Sequence, residues 1–279
     1  MTDDRQHHMT TAWVLRGGGS LGAVQVGMAR ALLEAGHHPD MLYGTSAGAF
    51  NAVWLAYDPS LEGLGPLAAL WKALHRRVVF PFRPWTVLSG LAGISDHTVS
   101  PRAFARWIRS ATPLRKLEDG VLPVALMTTD IQTGEEVLLR RGPTVPALLA
   151  SSAIPGIFPP VRVGERWLMD GGVVTDTPIG HAVHAGATRV WVLPCWPDNR
   201  LSLARPRSAF GAVLNSSTIM VSRHSAEMVA KWSGSCEIFL VEAPLLAGVS
   251  AFDFDHTQEL LDAGYNTCAR WLEHALPVG

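Results

Sequence analysis

The five residues Gly44-Thr45-Ser46-Ala47-Gly48 constrain this chain more than any other stretch. They read G-x-S-x-G, the spacing of a sharp turn in which a strand enters, a helix leaves and the apical serine holds strained backbone angles. Gly44 and Gly48 lack a Cβ, so neighbouring backbone can come close on both sides. Asp40-Met41-Leu42-Tyr43 supplies a short strand, and Ala47 to Ala56 is rich in helix formers. The context therefore predicts strand, elbow and helix, with the Ser46 hydroxyl standing clear of the sheet as a candidate nucleophile. The same residue types also occur in ordinary turns, so the motif needs support from elsewhere in the chain.

A second glycine cluster supplies it. Gly17-Gly18-Gly19-Ser20-Leu21-Gly22 follows an apolar strand, Ala12 to Leu15, and opens an apolar helix, Ala23 to Ala35, which Gly36 can stop. Successive glycine amides can converge on an anion, and a helix N-terminus adds partial positive charge. Such a nest suits a phosphate, or the oxyanion formed when a serine attacks an ester. Gly19 and Ser46 are 27 residues apart, enough for one helix and one short strand. The two motifs can therefore sit at the ends of adjacent parallel strands. A third piece, Asp170-Gly171-Gly172, follows a predicted hairpin of Val161–Val163 and Arg166–Met169. Alone it is a turn signal.

Strands and helices alternate along the rest. Further strands are predicted at 122–127, 136–140, 189–193 and 236–241, and helices near 179–185, 209–231 and 256–275. This order predicts a three-layer α/β/α domain with a largely parallel central sheet. The stretch from Asp58 to Gly120 is long and poorly periodic. The expected organisation is a polar tail at 1–11 and a single domain over 12–275, with 58–120 as a basic, aromatic-rich cap.

Taken together, the three motifs resemble the patatin-like lipid acyl hydrolases, which carry a glycine oxyanion loop, a serine elbow and a D-G-G or D-G-A aspartate in this order. Ala150 to Pro160, Thr129 to Gly134, and Phe252-Asp253-Phe254 followed by Ala263-Gly264-Tyr265 are similar to further segments of that family. The resemblance covers about residues 12–275. It implies a patatin-like fold with a helical cap, and a phospholipase A or lysophospholipase type of ester hydrolysis without a cofactor or metal. It also implies a dyad: Ser46 as nucleophile and Asp170 as general base, with no histidine. Gly17, Gly18 and Gly19 would form the oxyanion hole, helped by the amide of Ala47. Gly22, Gly44, Gly48, Gly171 and Gly172 would shape the turns. Two departures stand out. Many members have Arg or Lys where Leu21 stands, whereas here Arg16 precedes the loop; and Asn is usual at the position of Asp176.

Two rival functions fit parts of the pattern. Gly17, Gly19 and Gly22 also satisfy the dinucleotide fingerprint, which would make this a binding protein. That fingerprint needs an acidic residue ending the second strand, and Asp40 begins it instead. Alternatively, an α/β-hydrolase triad could use Ser46, Asp170 and His256 or His274. Its oxyanion loop normally lies further upstream of the serine.

Charge is unevenly spread. The stretch 72–116 holds nine Lys or Arg and one acid, Asp96, a net of +8 in a chain of net −1. Trp71, Phe80, Phe82, Trp85, Phe104 and Trp107 are interleaved, and Arg102, Arg106 and Arg109 share a helical face. By a small margin this reads as a solvated arginine face over a Trp-rich core. The competing reading is peripheral contact with an anionic lipid surface through those arginines, aromatics at headgroup depth. Nothing global points to nucleic acid, and oligomeric state is left open. His181 and His184 share a face but lack a third metal ligand nearby. The polar start lacks the basic and apolar regions of a secretory leader, and three widely spaced cysteines fit a reducing compartment. A cytoplasmic protein, peripheral to membranes at most, is expected.

Overall fold

The computed structural model describes residues 9–81, 84–197, 205–206, 209–246, 248–275 and 277–278. In chain order the elements are β1 (Thr11–Leu15), α1 (Ala23–Glu34), β2 (Met41–Thr45), α2 (Ala47–Tyr57), α3 (Leu61–Ala73), α4 (Arg76–Val79), α5 (Pro84–Leu91) and α6 (Arg102–Ala111). They continue with β3 (Val124–Asp130), β4 (Glu136–Leu139), α7 (Thr144–Ser151), β5 (Val161–Val163), β6 (Arg166–Asp170) and α8 (Ile179–His184). The last four are β7 (Arg189–Leu193), α9 (Ala209–Trp232), β8 (Glu237–Leu240) and α10 (Thr257–Leu272).

The parallel strands run in the order β3-β2-β1-β7-β8, and β4, β5 and β6 add antiparallel pairings at the β3 side. The sheet is thus mixed, with a parallel centre. Period-two alternation assigns its faces. Trp13 and Leu15 of β1 pack with α1, α2 and α10, while Ala12 and Val14 pack with residues of α8 and α9. That gives the three layers. The stretch that looked aperiodic, 58–120, is mostly helical (α3 to α6). Its helices are short, and α3, α4 and α6 share one groove, so no single helix needs a long apolar stripe. Among the described residues, no helix is long and apolar enough to cross a membrane.

The register around β3 decides where the chemistry can be. β2 pairs with residues 124–127 of β3, and β4 pairs with 126–129, so these two lie on opposite sides of β3. β6 pairs with 128–130 and overlaps β4, so it lies on the β2 side. β6 therefore takes up the edge of β3 where β2 leaves it. Thr45, the last residue of β2, faces Met127; the next residue of β3, Thr128, faces Asp170. Ser46 and Asp170 are brought side by side by strand pairing alone.

Candidate active site

The elbow has the geometry its spacing predicts. Ser46 has φ 55° and ψ −118°, the one non-glycine residue with positive φ among those described. Such a conformation costs on the order of 1–3 kcal/mol and persists only where the surroundings over-determine it. Three contacts do so. The Ser46 amide donates to Ser151 Oγ at 2.9 Å, and that hydroxyl donates to the Met127 carbonyl at 2.7 Å. The Ser46 carbonyl accepts from Ala49 at the start of α2. A Cβ at Gly48 would lie 2.6 Å from the Arg16 carbonyl oxygen, so only glycine lets α2 start this close to β1. Gly22, Gly44 and Gly171 are likewise packed against neighbouring atoms, at Ala47, Ala49 and Met127.

Asp170 ends β6 and is almost fully buried. Its carboxylate accepts from the Gly172 amide at 2.9 Å, and the Ser46 hydroxyl lies beside it. Burial pushes its pKa up to about 6; these two neighbours pull the other way, and the nearby Asp176 charge adds to the rise. A carboxylate of this basicity can accept a proton from a serine near neutral pH better than an ordinary one.

The glycine loop lies against the same serine. A Cβ on Gly17 would sit 3.3 Å from Ser46 Cβ. Gly19 has φ 58° and abuts the Ala251 carbonyl, where a side chain could not fit. The amides of Ser20 and Leu21 are already engaged, by Ala251 and Gly18. Among the described residues no acceptor takes the amides of Gly17, Gly18 or Gly19. Those three donors are the ones an oxyanion could use. The segment 250–254 therefore anchors the loop: the Ser20 hydroxyl also donates to the Ser250 carbonyl at 3.0 Å.

A buried polar chain with no local signal in the residue pattern ties loop to elbow. Gln25 of α1 donates to the carbonyls of Arg16 and Leu193, both at 2.8 Å. Asn51 of α2 donates to the Gly22 carbonyl and to Gln25 Oε1, both at 2.9 Å, and accepts from Trp71 Nε1 at 2.7 Å. Fully satisfied networks of this kind rigidify the groups they join. Ser151 was also missed as an individual residue, although it lies in the Ala150–Pro160 segment. Ser151→Ala removes the acceptor of a buried amide and is expected to destabilise the fold by about 1–3 kcal/mol in urea unfolding.

Arg16, which precedes the glycine loop, and Asp176, where Asn is usual, form a buried pair. Arg16 Nε donates to Asp176 Oδ2 at 2.8 Å, with the side chains 1% and 2% exposed. Thr177 donates to Asp176 Oδ1 at 2.7 Å, and the Arg16 guanidinium lies over the Trp196 ring at 5.6 Å. The pair joins the residue before the glycine loop to the turn that follows Asp170.

Above the serine is an apolar groove of about 500 Å³, part of it open to solvent. Phe50, Trp71, Phe80, Phe104, Trp107 and Phe158 are among its walls, and Ser46 and Gly19 lie within it. The aromatics of the cap thus mostly turn inward, while Arg102, Arg106 and Arg109 face solvent on the far side of α6. Phe82 lies outside the described residues. The histidines are engaged elsewhere. His256 contacts Asp253 and Glu259, and His274 lines a separate cleft with Glu242, Arg270 and Trp271. His181 bonds Glu136, whose carboxyl it holds below the usual range, and His184 meets Trp232 edge-on. Asp40 precedes β2 and accepts from the Thr11 amide at 2.7 Å, far from the place a ribose-binding acid would occupy.

Comparison with known proteins agrees with this geometry. The patatin-like phospholipase family model matches residues 13–183, a span that contains the glycine loop, the elbow and the aspartate turn. The chain belongs to the patatin-like phospholipase family. Within the family it is similar to human patatin-like phospholipase domain-containing protein 6, 31% identical over 65% of this chain and 13% of that protein. It is also similar to an uncharacterised NTE family protein of Mycobacterium tuberculosis, 29% identical over 59% of this chain and 27% of that one. The patatin-like chain therefore spans about a quarter or less of the length of these relatives. Among solved structures, VipD from Legionella pneumophila aligns with 95% of this chain and 67% of its own, at 14% identity and a TM-score of 0.47.

Proposed function

We propose that this patatin-like protein is a serine lipid acyl hydrolase, cleaving carboxylic ester bonds of phospholipids or related acyl lipids through a Ser46/Asp170 dyad. The observation that carries the reading is a serine in a strained elbow beside a buried carboxylate, at the floor of an apolar groove. An acyl chain in the groove contributes about 0.8 kcal/mol per buried methylene. The carbonyl oxygen of the ester then meets the amides of Gly17, Gly18 and Gly19, with the Ala47 amide at the start of α2 as a further donor. Asp170 takes the Ser46 proton as Oγ attacks, and returns it to the departing alcohol. It next takes a proton from water, which attacks the acyl-enzyme; the fatty acid leaves as that proton passes from Asp170 to Ser46 Oγ.

Two results test this. A long-chain fluorophosphonate should label Ser46 stoichiometrically, seen by peptide mass spectrometry, and the His256→Ala and His274→Ala variants should label equally well. A folded protein that is not labelled at Ser46 would refute the reading. Labelling lost in either histidine variant would replace the dyad by a triad. The second result is the pH profile. Asp170 works as a base only when deprotonated, so kcat/KM should fall as pH drops through about 6.

A further inference from the structure

The cap carries an apolar surface that the rest of the fold leaves uncovered. Trp85 on α5 is 82% exposed, Leu88 is 55% exposed, and Ile94 just beyond the helix is 80% exposed. No described side chain of α5 is buried. The segment is nonetheless folded back on itself: the Ile94 amide donates to the Ser89 carbonyl at 2.8 Å, Gly93 turns with φ 69°, and Gly90 packs against the His97 carbonyl. An ordered projection tipped by tryptophan and aliphatic residues marks an interaction surface.

Its place in the chain puts it at the rim of the groove. Val79 and Phe80, shortly before α5, are groove walls. After it, the Thr98 amide and hydroxyl both donate to the Gly156 carbonyl, at 3.2 and 2.7 Å, and the Val99 amide donates to Ile157 at 3.0 Å. Ile154 and Phe158, on either side of that pairing, are walls too. Both ends of the apolar projection are therefore tied to groove walls, and two of these walls, Phe80 and Phe158, stack on each other at 5.8 Å.

Charge says what covers it. Lys72, Arg76, Arg77, Arg102, Arg106 and Arg109 are all exposed, α4 packs against α6, and the single acid within 72–116, Asp96, is bonded to His97. The stretch 72–116 carries +8 and the remainder of the chain −9. Such a charge separation orients the molecule cap-first toward an anionic surface. Each Lys or Arg near such a surface contributes about 1 kcal/mol, and a tryptophan in a basic frame is the composition of an interfacial segment.

We infer that α5 and the turn after it insert into the headgroup region of an anionic bilayer, with Trp85, Leu88 and Ile94 entering it and the cap arginines on the phosphates. The mouth of the groove then opens onto acyl chains. The use made of the groove rests on the hydrolase reading; the binding does not.

The test is co-sedimentation with vesicles containing about a quarter phosphatidylglycerol, against phosphatidylcholine alone, for wild type and Trp85→Ser/Leu88→Ser/Ile94→Ser. These positions are exposed, so the variant should unfold at the wild-type temperature. Wild type should bind the anionic vesicles and lose binding as salt rises. The variant should bind at least about tenfold more weakly, yet hydrolyse a monomeric short-chain ester at the wild-type rate. Equal vesicle binding by variant and wild type would overturn the inference. So would a wild type that ignores anionic vesicles, or a variant that changes only its oligomeric state, which would make the patch a protein interface. A wild type that binds vesicles through α5 but cleaves no ester would sink the hydrolase reading and leave this one standing.

Discussion

Asp170→Asn is expected to lower kcat/KM by about a thousandfold while making the protein more stable at pH 8. The two effects share a cause. Burial raises the Asp170 pKa from 3.8 to about 6, so the folded state holds its proton more tightly than the unfolded chain does. For a group raised in this way, the favourable contribution is complete below pH about 4 and is lost as pH rises through about 6. At pH 8 the native protein bears the full cost of an ionised buried carboxylate, on the order of 3 kcal/mol for a shift of this size. Asparagine keeps the Gly172 hydrogen bond and removes the charge, but cannot take the serine proton. Denaturant unfolding at pH 8 and pH 4, beside turnover of a soluble ester, checks both halves. Near-normal turnover in the variant would remove Asp170 from the chemistry. Equal stability of variant and wild type at pH 8 would mean that the site does not strain the carboxylate.

The second large effect is at Arg16. Arg16→Met should destabilise the fold by about 3–5 kcal/mol, because it leaves Asp176 charged, buried and without its cation. Adding Asp176→Asn should recover most of the loss, since the double variant buries no charge; the coupling is read from the double-mutant cycle in urea. Catalysis supplies a readout that packing alone would not move. Asp176 already pushes the Asp170 pKa upward. With Arg16 gone that push is no longer countered, so the acidic limb of kcat/KM should shift to higher pH in Arg16→Met. In the double variant it should fall back to or below the wild-type position. An unchanged limb across all three proteins would reduce the pair to a structural tie between glycine loop and aspartate turn.

These two residues also mark the boundary of what the sequence conveyed. Gly17–Gly19, the Ser46 elbow and Asp170 are local signals: each is a short run whose steric demands appear in its own residues, such as the positive φ of Ser46 or the close approach at Gly48. The succession of strands along the chain was legible for the same reason, because short apolar runs report their own burial. The cap was not. Helices α3 to α6 are short, and the aromatics of α3 and α6 converge on one groove with Phe50, Phe80 and Phe158 from other segments, so no window of sequence contains the pattern. Arg16 and Asp176 read as unrelated residues because 160 positions separate them. Ser151, Asn51 and Gln25 were silent, since a buried polar side chain is defined by its partners and its partners lie on other elements.

The sequence by itself determined the class of fold, the family and the residues that could carry ester hydrolysis, since these rest on local backbone geometry and on residue chemistry. Only the tertiary structure decided that β6 continues the β3 edge where β2 ends, and so places Asp170 against Ser46. It also decided that Asp170 is buried enough to be a useful base, and that the cap turns most of its aromatics inward while leaving Trp85 outside. Proximity and desolvation are properties of the packed chain: they arise when segments distant in sequence exclude water together.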